Sequence, residues 1–213
     1  MLTIHTAALL LPGGGRPPVP GGAVAVRDTV VAALGPYEEL AAAHPGARVR
    51  RWPGLLAPGL VQYDAVRLLT EWYFPDPREA GTLGTEPLTG AALDALGPDS
   101  AWRPGSVRRG LHRMLALGTT HLAGRFDDAT LRGPVARSGL TVLPPARTAA
   151  GAPCLDPFAH GRDLAAAAHG PLTEGARADF AAFDAPDEPA LLAEGAGRCV
   201  GTVLGGRLVY RRR

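Results

Sequence analysis

Gly22-Ala23-Val24-Ala25-Val26-Arg27-Asp28-Thr29-Val30-Val31-Ala32-Ala33-Leu34-Gly35 places apolar runs on both sides of a polar Asp28-Thr29 pair. The pattern predicts strands over Ala23–Arg27 and Val30–Leu34 joined by a tight turn, the centre of a β-meander. Toward the N-terminus, Leu2–Leu11 is another strand-like run, ended by Pro12-Gly13-Gly14-Gly15. In the other direction, Pro36-Tyr37-Glu38-Glu39-Leu40 opens a brief helix that Pro45-Gly46 closes, and Arg48–Trp52 reads as a further strand. Leu55–Val61, after Pro53-Gly54, is an apolar run of the kind that becomes a buried parallel strand.

Beyond Gln62 the prolines at 75, 77, 87, 98 and 104 predict a loop-rich excursion to about Gly105. Ser106–Leu117 has helical spacing, with Val107, Leu111, Met114 and Leu115 on one face. Thr119–Ala123 follows as a strand, Asp127-Asp128 starts a helix running to Ser138, and Leu140–Leu143 is the next strand. This strand–helix alternation is the rhythm of a parallel α/β unit. It stops at Pro144-Pro145, where an Ala/Gly/Pro connection leads to a short helix near Asp163–His169. Strands are then expected at Ala178–Asp184, Cys199–Leu204 and Arg207–Arg211.

The chain has 213 residues, 46% of them apolar and 20% charged, which is the composition of an ordinary globular protein. Its net charge of +2 is too small to imply a nucleic-acid or membrane partner. All 22 basic residues are Arg, as expected of a GC-rich genome. The absence of Lys excludes a Schiff base, a P-loop lysine and a lysine carbamate bridging two metals. Leu2–Leu11 lacks a basic flank and is shorter than the roughly 20 residues of a membrane span, so a cytoplasmic location is expected. Cys154 and Cys199 lack metal-type spacing and are expected as two thiols.

The run Gly22–Gly35, leading to Leu56-Ala57-Pro58-Gly59-Leu60-Val61, resembles the opening of metal-dependent amidohydrolases of the imidazolonepropionase and cytosine-deaminase type. Leu172-Thr-Glu-Gly-Ala-Arg-Ala-Asp-Phe-Ala-Ala-Phe-Asp184, with Val200-Gly-Thr-Val-Leu-Gly-Gly-Arg-Leu-Val-Tyr210, resembles the close of the same family. The resemblance implies a composite β-sandwich formed by both chain ends beside a (β/α)8 barrel. Arg113-Met-Leu-Ala-Leu-Gly-Thr-Thr120 is similar to the helix and second strand of that barrel.

The departures bear on activity. After Pro-Gly-Leu-Val the family carries His-x-His at the end of the first barrel strand, whereas this chain reads Asp64-Ala65-Val66. Val has no donor atom, and such a centre needs three or four N/O ligands. A complete barrel takes roughly 250 residues, so the later strands and their ligands are expected to be missing. No metal and no cofactor are expected.

Among residues that could act, Asp64 after the first strand and His121 in the second are candidates for an acid–base pair. The competing reading makes Asp64 a turn cap and His121 a hydrogen-bonded core side chain. Arg125 could bind an anionic substrate by bidentate contacts, or simply form a surface ion pair. Tyr63, Glu71, Trp72, Tyr73 and Phe74 gather four aromatics and a carboxylate, suggesting a pocket wall or partner surface, or equally a hydrophobic plug. Tyr63, Glu71, Trp72 and Arg125 are the candidate substrate contacts. His160 and His169 are expected to be solvent-exposed, Gly13–Gly15 to form a hairpin turn, and Arg211–Arg213 a solvated tail.

The expected fold is thus α/β plus β: residues 1–54 and 171–213 in a composite β-sandwich, and 55–170 an incomplete TIM-barrel-like middle. Three functions remain open. The chain is a non-catalytic binding or scaffold subunit, a metal-independent enzyme using Asp64 and His121, or a hydrolase of carbon–nitrogen bonds in a small cyclic amide or amidine. In each case a homodimer or a complex with another protein subunit is expected, because free strand edges need cover.

Overall fold

The polar pair at the centre of the first quoted stretch does form a tight turn: Asp28 takes a positive φ of 55° there, a conformation Asp tolerates better than most residues. The computed structural model describes residues 2–97, 103–146 and 151–212.

The chain begins with β1 (Leu2–Thr6), β2 (Leu9–Leu10), β3 (Val19–Pro20), β4 (Gly22–Arg27), β5 (Val30–Pro36), α1 (Tyr37–Ala43), β6 (Arg48–Arg51), β7 (Leu55–Pro58) and β8 (Leu60–Gln62). It continues through α2 (Ala65–Glu71), β9 (Trp72–Tyr73), α3 (Ala80–Leu83), β10 (Leu88–Thr89), α4 (Gly90–Leu96) and α5 (Arg103–Leu115). The remainder holds β11 (Thr119–Ala123), α6 (Ala129–Ser138), β12 (Thr141–Leu143), α7 (Leu164–Ala167), β13 (Phe180–Phe183), α8 (Glu188–Glu194), β14 (Cys199–Leu204) and β15 (Arg207–Arg211).

Two compact units result. The first takes in the chain up to Val61, Leu115–His121 and everything from Asp156 onward; the second holds Gln62–Met114 and Leu122–Leu155.

In the first unit, one sheet has the order β5-β4-β1-β6 and a second the order β15-β14-β13-β7-β2-β3. The second sheet draws on both chain ends, with Phe180 opposite Pro58 and Phe183 opposite Leu55 in an antiparallel pairing. Strand alternation sends successive side chains to opposite faces, and in the central strands β4, β7 and β13 both faces are buried. Val24 and Val26 of β4 share a core with Leu56, Phe180, Ala182 and Val203 of the other sheet, while Ala23 and Ala25 point the opposite way, toward Ile4 and Leu40 of α1. Likewise Ala181 and Phe183 of β13 join Leu55, Leu164 of α7 and Leu191 of α8 in a further core.

Several expectations need correction. The run Leu55–Val61 is two strands, not one, because the chain breaks at Pro58-Gly59; β7 pairs parallel with β2 but antiparallel with β13. Leu2–Leu11 is likewise divided, with the core residue Ala7 between β1 and β2. Over 62–97 the chain is not a loop excursion but a series of short elements, since Pro77 lies in the first turn of a helix, where it costs little; Pro98 lies outside the described residues. There Asp76 accepts from Arg78 N–H and Glu79 reaches back to Asp76 N–H, a reciprocal capping box. The sequence reading omitted α8 altogether.

A third sheet has the order β12-β11-β8, and among the described residues no closed barrel is formed. No helix of the described residues is long and apolar enough to cross a membrane.

Candidate functional site

Strand β11 is buried along its whole length and carries His121, which belongs to the first unit. The imidazole Nδ1 is 2.8 Å from Thr120 Oγ1. Its Nε2 lies 4.0 Å from Asp179 Oδ2, and its ring is tilted 38° to that of His169 with centroids 4.4 Å apart. Asp179, just before β13, is anchored on both oxygens: Gly205 N–H donates to Oδ1 at 2.6 Å, and Arg177 Nη1 to Oδ2 at 2.9 Å.

Close packing by glycines positions this group. A Cβ at Gly59 would overlap the Thr120 side chain, and one at Gly118, whose φ is +78°, would press on the Phe183 ring. These two glycines let β11 approach its neighbours without steric conflict.

Burial, reinforced by His169 and Arg177, pushes the His121 pKa down to about 4. The imidazole is therefore neutral at pH 7, and its contact with Asp179 is not an ion pair there. Burial also lifts the Asp179 carboxyl above its ordinary range, against the pull of the Gly205 N–H and Arg177. A neutral imidazole beside a carboxylate can accept a proton, but one with so low a pKa is a weak base near neutrality.

In the second unit, Asp64 occupies the position before α2 without capping it. Its backbone N–H donates to Gln62 Oε1 at 3.0 Å, and its Oδ2 accepts from Cys154 N–H at 3.2 Å. Gln62 Nε2 in turn donates to Leu155 O at 2.8 Å. Side chains at the end of β8 thus hold the 154–155 segment. Val66 packs over Gly124, where a Cβ would collide with it.

The other predicted site residues also lie in the second unit. Tyr63 is half-buried and Arg125 exposed. Glu71 is exposed and paired with Arg67 at 3.0 Å, one helical turn away. Trp72 stands 6.2 Å from Phe74, ring to ring. Tyr73 and Phe74 are buried. The Tyr73 hydroxyl donates to Glu79 at 2.7 Å, and burial together with Glu79 pushes its pKa up to about 12. Asp64 and His121 belong to different units, each with its own partners, so their pairing stands as a proposal.

Sequence reasoning missed Asp179 and the approach of His169 to His121. Asp179 lies inside the quoted stretch Leu172–Asp184; nothing in the spacing marks His169. His169 is exposed, as expected. Arg211 and Arg212 are exposed and make defined contacts, the Arg211 guanidinium lying 5.9 Å from the centre of the Trp52 ring and Arg212 donating to Gly197 O, while Arg213 lies outside the described residues.

Among the described residues no group of three or more His, Cys, Asp or Glu could hold a metal ion. The metal implied by the resemblance does not fit the residues present, since Asp64 is tied to Cys154 N–H and Val66 offers no donor atom. Cys154 and Cys199 are free thiols, and burial pushes Cys199 up to about 11.

Residues 22–47 match the imidazolonepropionase-like composite domain of bacteria. Comparison with curated proteins finds no match. Among solved structures, ochratoxinase from A. niger is 19% identical, with 67% of this chain and 31% of that chain covered and a TM-score of 0.44. Guanine deaminase from Bradyrhizobium japonicum is 20% identical, covering 68% of this chain and 34% of that one, with a TM-score of 0.44. E. coli guanine deaminase is 13% identical, covering 68% and 36%, with a TM-score of 0.46. The chain therefore spans about a third of the length of these structures. The family likeness thus rests on residues 22–47, the stretch that forms β4, β5 and α1, which resembles part of the imidazolonepropionase-like composite domain.

Proposed function

We propose that the chain acts as a non-catalytic binding or scaffold subunit of amidohydrolase type, engaging a second copy of itself or another protein. The observation that carries this reading lies at the end of β8. The two positions at which the resemblance calls for metal-binding histidines serve packing instead, Asp64 holding the Cys154 amide and Val66 covering Gly124. The low pKa of His121 points the same way, since a general base works best with a pKa near the operating pH.

Tyr73 and Phe74 are committed to the interior of their own unit, so the partner surface is narrowed to Tyr63, Glu71, Trp72 and the edge strand β12, whose Val142 is 48% exposed. A second reading rests on the 4.0 Å approach of His121 to Asp179, which favours metal-independent acid–base chemistry with Asp179 in place of Asp64.

Purified protein, with and without added zinc, is to be assayed against a panel of cyclic amides and amidines and sized by light scattering. No turnover and a dimer are expected. Zinc-dependent hydrolysis would overturn the scaffold proposal, and a monomer at micromolar concentration would exclude the second copy and leave another protein as the partner. Zinc-independent turnover abolished by His121→Ala would establish the second reading in its place.

A further inference from the structure

The second unit contains a cavity of about 470 Å³ between α5 and the segment from Phe74 to Pro77. One wall presents Arg108, Arg109, His112 and Arg113 on successive turns of α5; Phe74, Pro75 and Pro77 supply an apolar counterpart. We propose that this cavity binds a small phosphorylated molecule, its phosphate gripped by Arg108 and Arg113 and its apolar part resting on Phe74 and the two prolines.

Both walls are built before any ligand arrives. Arg109 is the clamp between them, donating from Nε to Phe74 O at 2.7 Å and from Nη1 to Asp76 Oδ2 at 3.2 Å. That pairing satisfies Asp76, the one acidic residue among the described residues that line the cavity. Glu79 is occupied by the Tyr73 hydroxyl and the Asp76 N–H, and the Asp76 capping box fixes the Pro75–Pro77 turn. Arg113 donates from Nη2 to Thr85 O at 2.8 Å, which aims its guanidinium along the cavity rim. Arg108 is exposed on the same lining.

A guanidinium has five N–H donors in a planar fork, more than these contacts use, and that fork matches two oxygens of a phosphate. With Asp76 already paired to Arg109, the charge left for a ligand is positive. The volume suits a small molecule, and the proposal holds whether or not the chain is catalytic.

Isothermal titration of the full chain with phenyl phosphate and with inorganic phosphate tests the assignment. Both are expected to bind saturably, phenyl phosphate the more tightly, and both more weakly as ionic strength rises. Arg108→Gln and Arg113→Gln should each weaken binding roughly tenfold, while Arg137→Gln on α6 in the same unit should leave it unchanged. Circular dichroism checks that each variant is folded; the exposed Arg108 carries the test if Arg113→Gln is not. The assignment fails if neither probe saturates by about 10 mM, if phenyl phosphate binds no tighter than phosphate, or if Arg108→Gln binds like the parent.

Discussion

His121 Nε2 and Asp179 Oδ2 stand 4.0 Å apart without forming an ion pair at neutral pH, because burial keeps the imidazole uncharged down to a pKa of about 4. An unfolded chain takes up this proton near 6.5, so between those two values the unfolded state binds more protons than the folded one. Stability must then rise with pH across the window and be lost as the solution is acidified from about 6.5 toward 4. The shift corresponds to roughly 3 kcal/mol. His5, pushed down to about 3 by burial with Arg50 and Arg48, acts in the same direction; Asp179, raised by burial, acts in the opposite direction. Urea unfolding at pH 7 and pH 4.5 should show a smaller pH dependence in His121→Gln than in the parent. Equal dependence in the two proteins would mean that His121 is not the buried neutral group described.

Gly59→Ala should destabilise the protein by about 1–3 kcal/mol or more, since the added methyl overlaps Thr120. The double variant Gly59→Ala/Thr120→Ala, which removes much of the opposing side chain, should recover part of the loss. Thermal melts of the two single variants and the double measure the coupling, and strict additivity would contradict direct contact.

Asp64→Ala removes the acceptor of the part-buried Cys154 N–H, a loss of about 1 kcal/mol. The local signature is faster hydrogen exchange at the Cys154 amide. Slow exchange in the variant would show that Asp64 does not hold this segment.

Phe183→Ala should cost about 3–5 kcal/mol, because the ring is fully buried between the composite sheet and the helices covering it. Denaturant titration is the measurement, and a loss below about 1 kcal/mol would place Phe183 outside the cooperative core.

Much of the architecture was readable where local pattern and final environment agree. The alternation in Gly22–Arg27 survives as β4 because its two faces meet different cores. Asp128 caps α6 as expected, its side chain accepting from Thr130 N–H. Elsewhere a valid rule was overextended: five prolines argued against regular structure over 62–105, yet Pro77 sits in a first turn and α4 ends at Gly97 in the left-handed conformation. The omitted α8 carried a usable signal in Asp187-Glu188-Pro189, for Asp187 accepts from Ala190 N–H and the proline lies in the first turn. The candidate site was less accessible. That His169 should lie beside His121 depends on where an Ala-rich segment returns to the first unit, and periodicity carries no such information.

The composite sheet also has a consequence for how the molecule comes into being. Strand β7 is made early, but its antiparallel neighbour β13 lies more than half the chain further on. During synthesis, Leu55, Leu56 and Ala57 must wait with one edge open until that distant strand arrives. Such a contact carries a large closure entropy and belongs to the slow end of folding. Until then the half-made sheet is exposed to association with other nascent copies, so recovery of native protein should depend on the rate of translation and on chaperone supply more than on final stability.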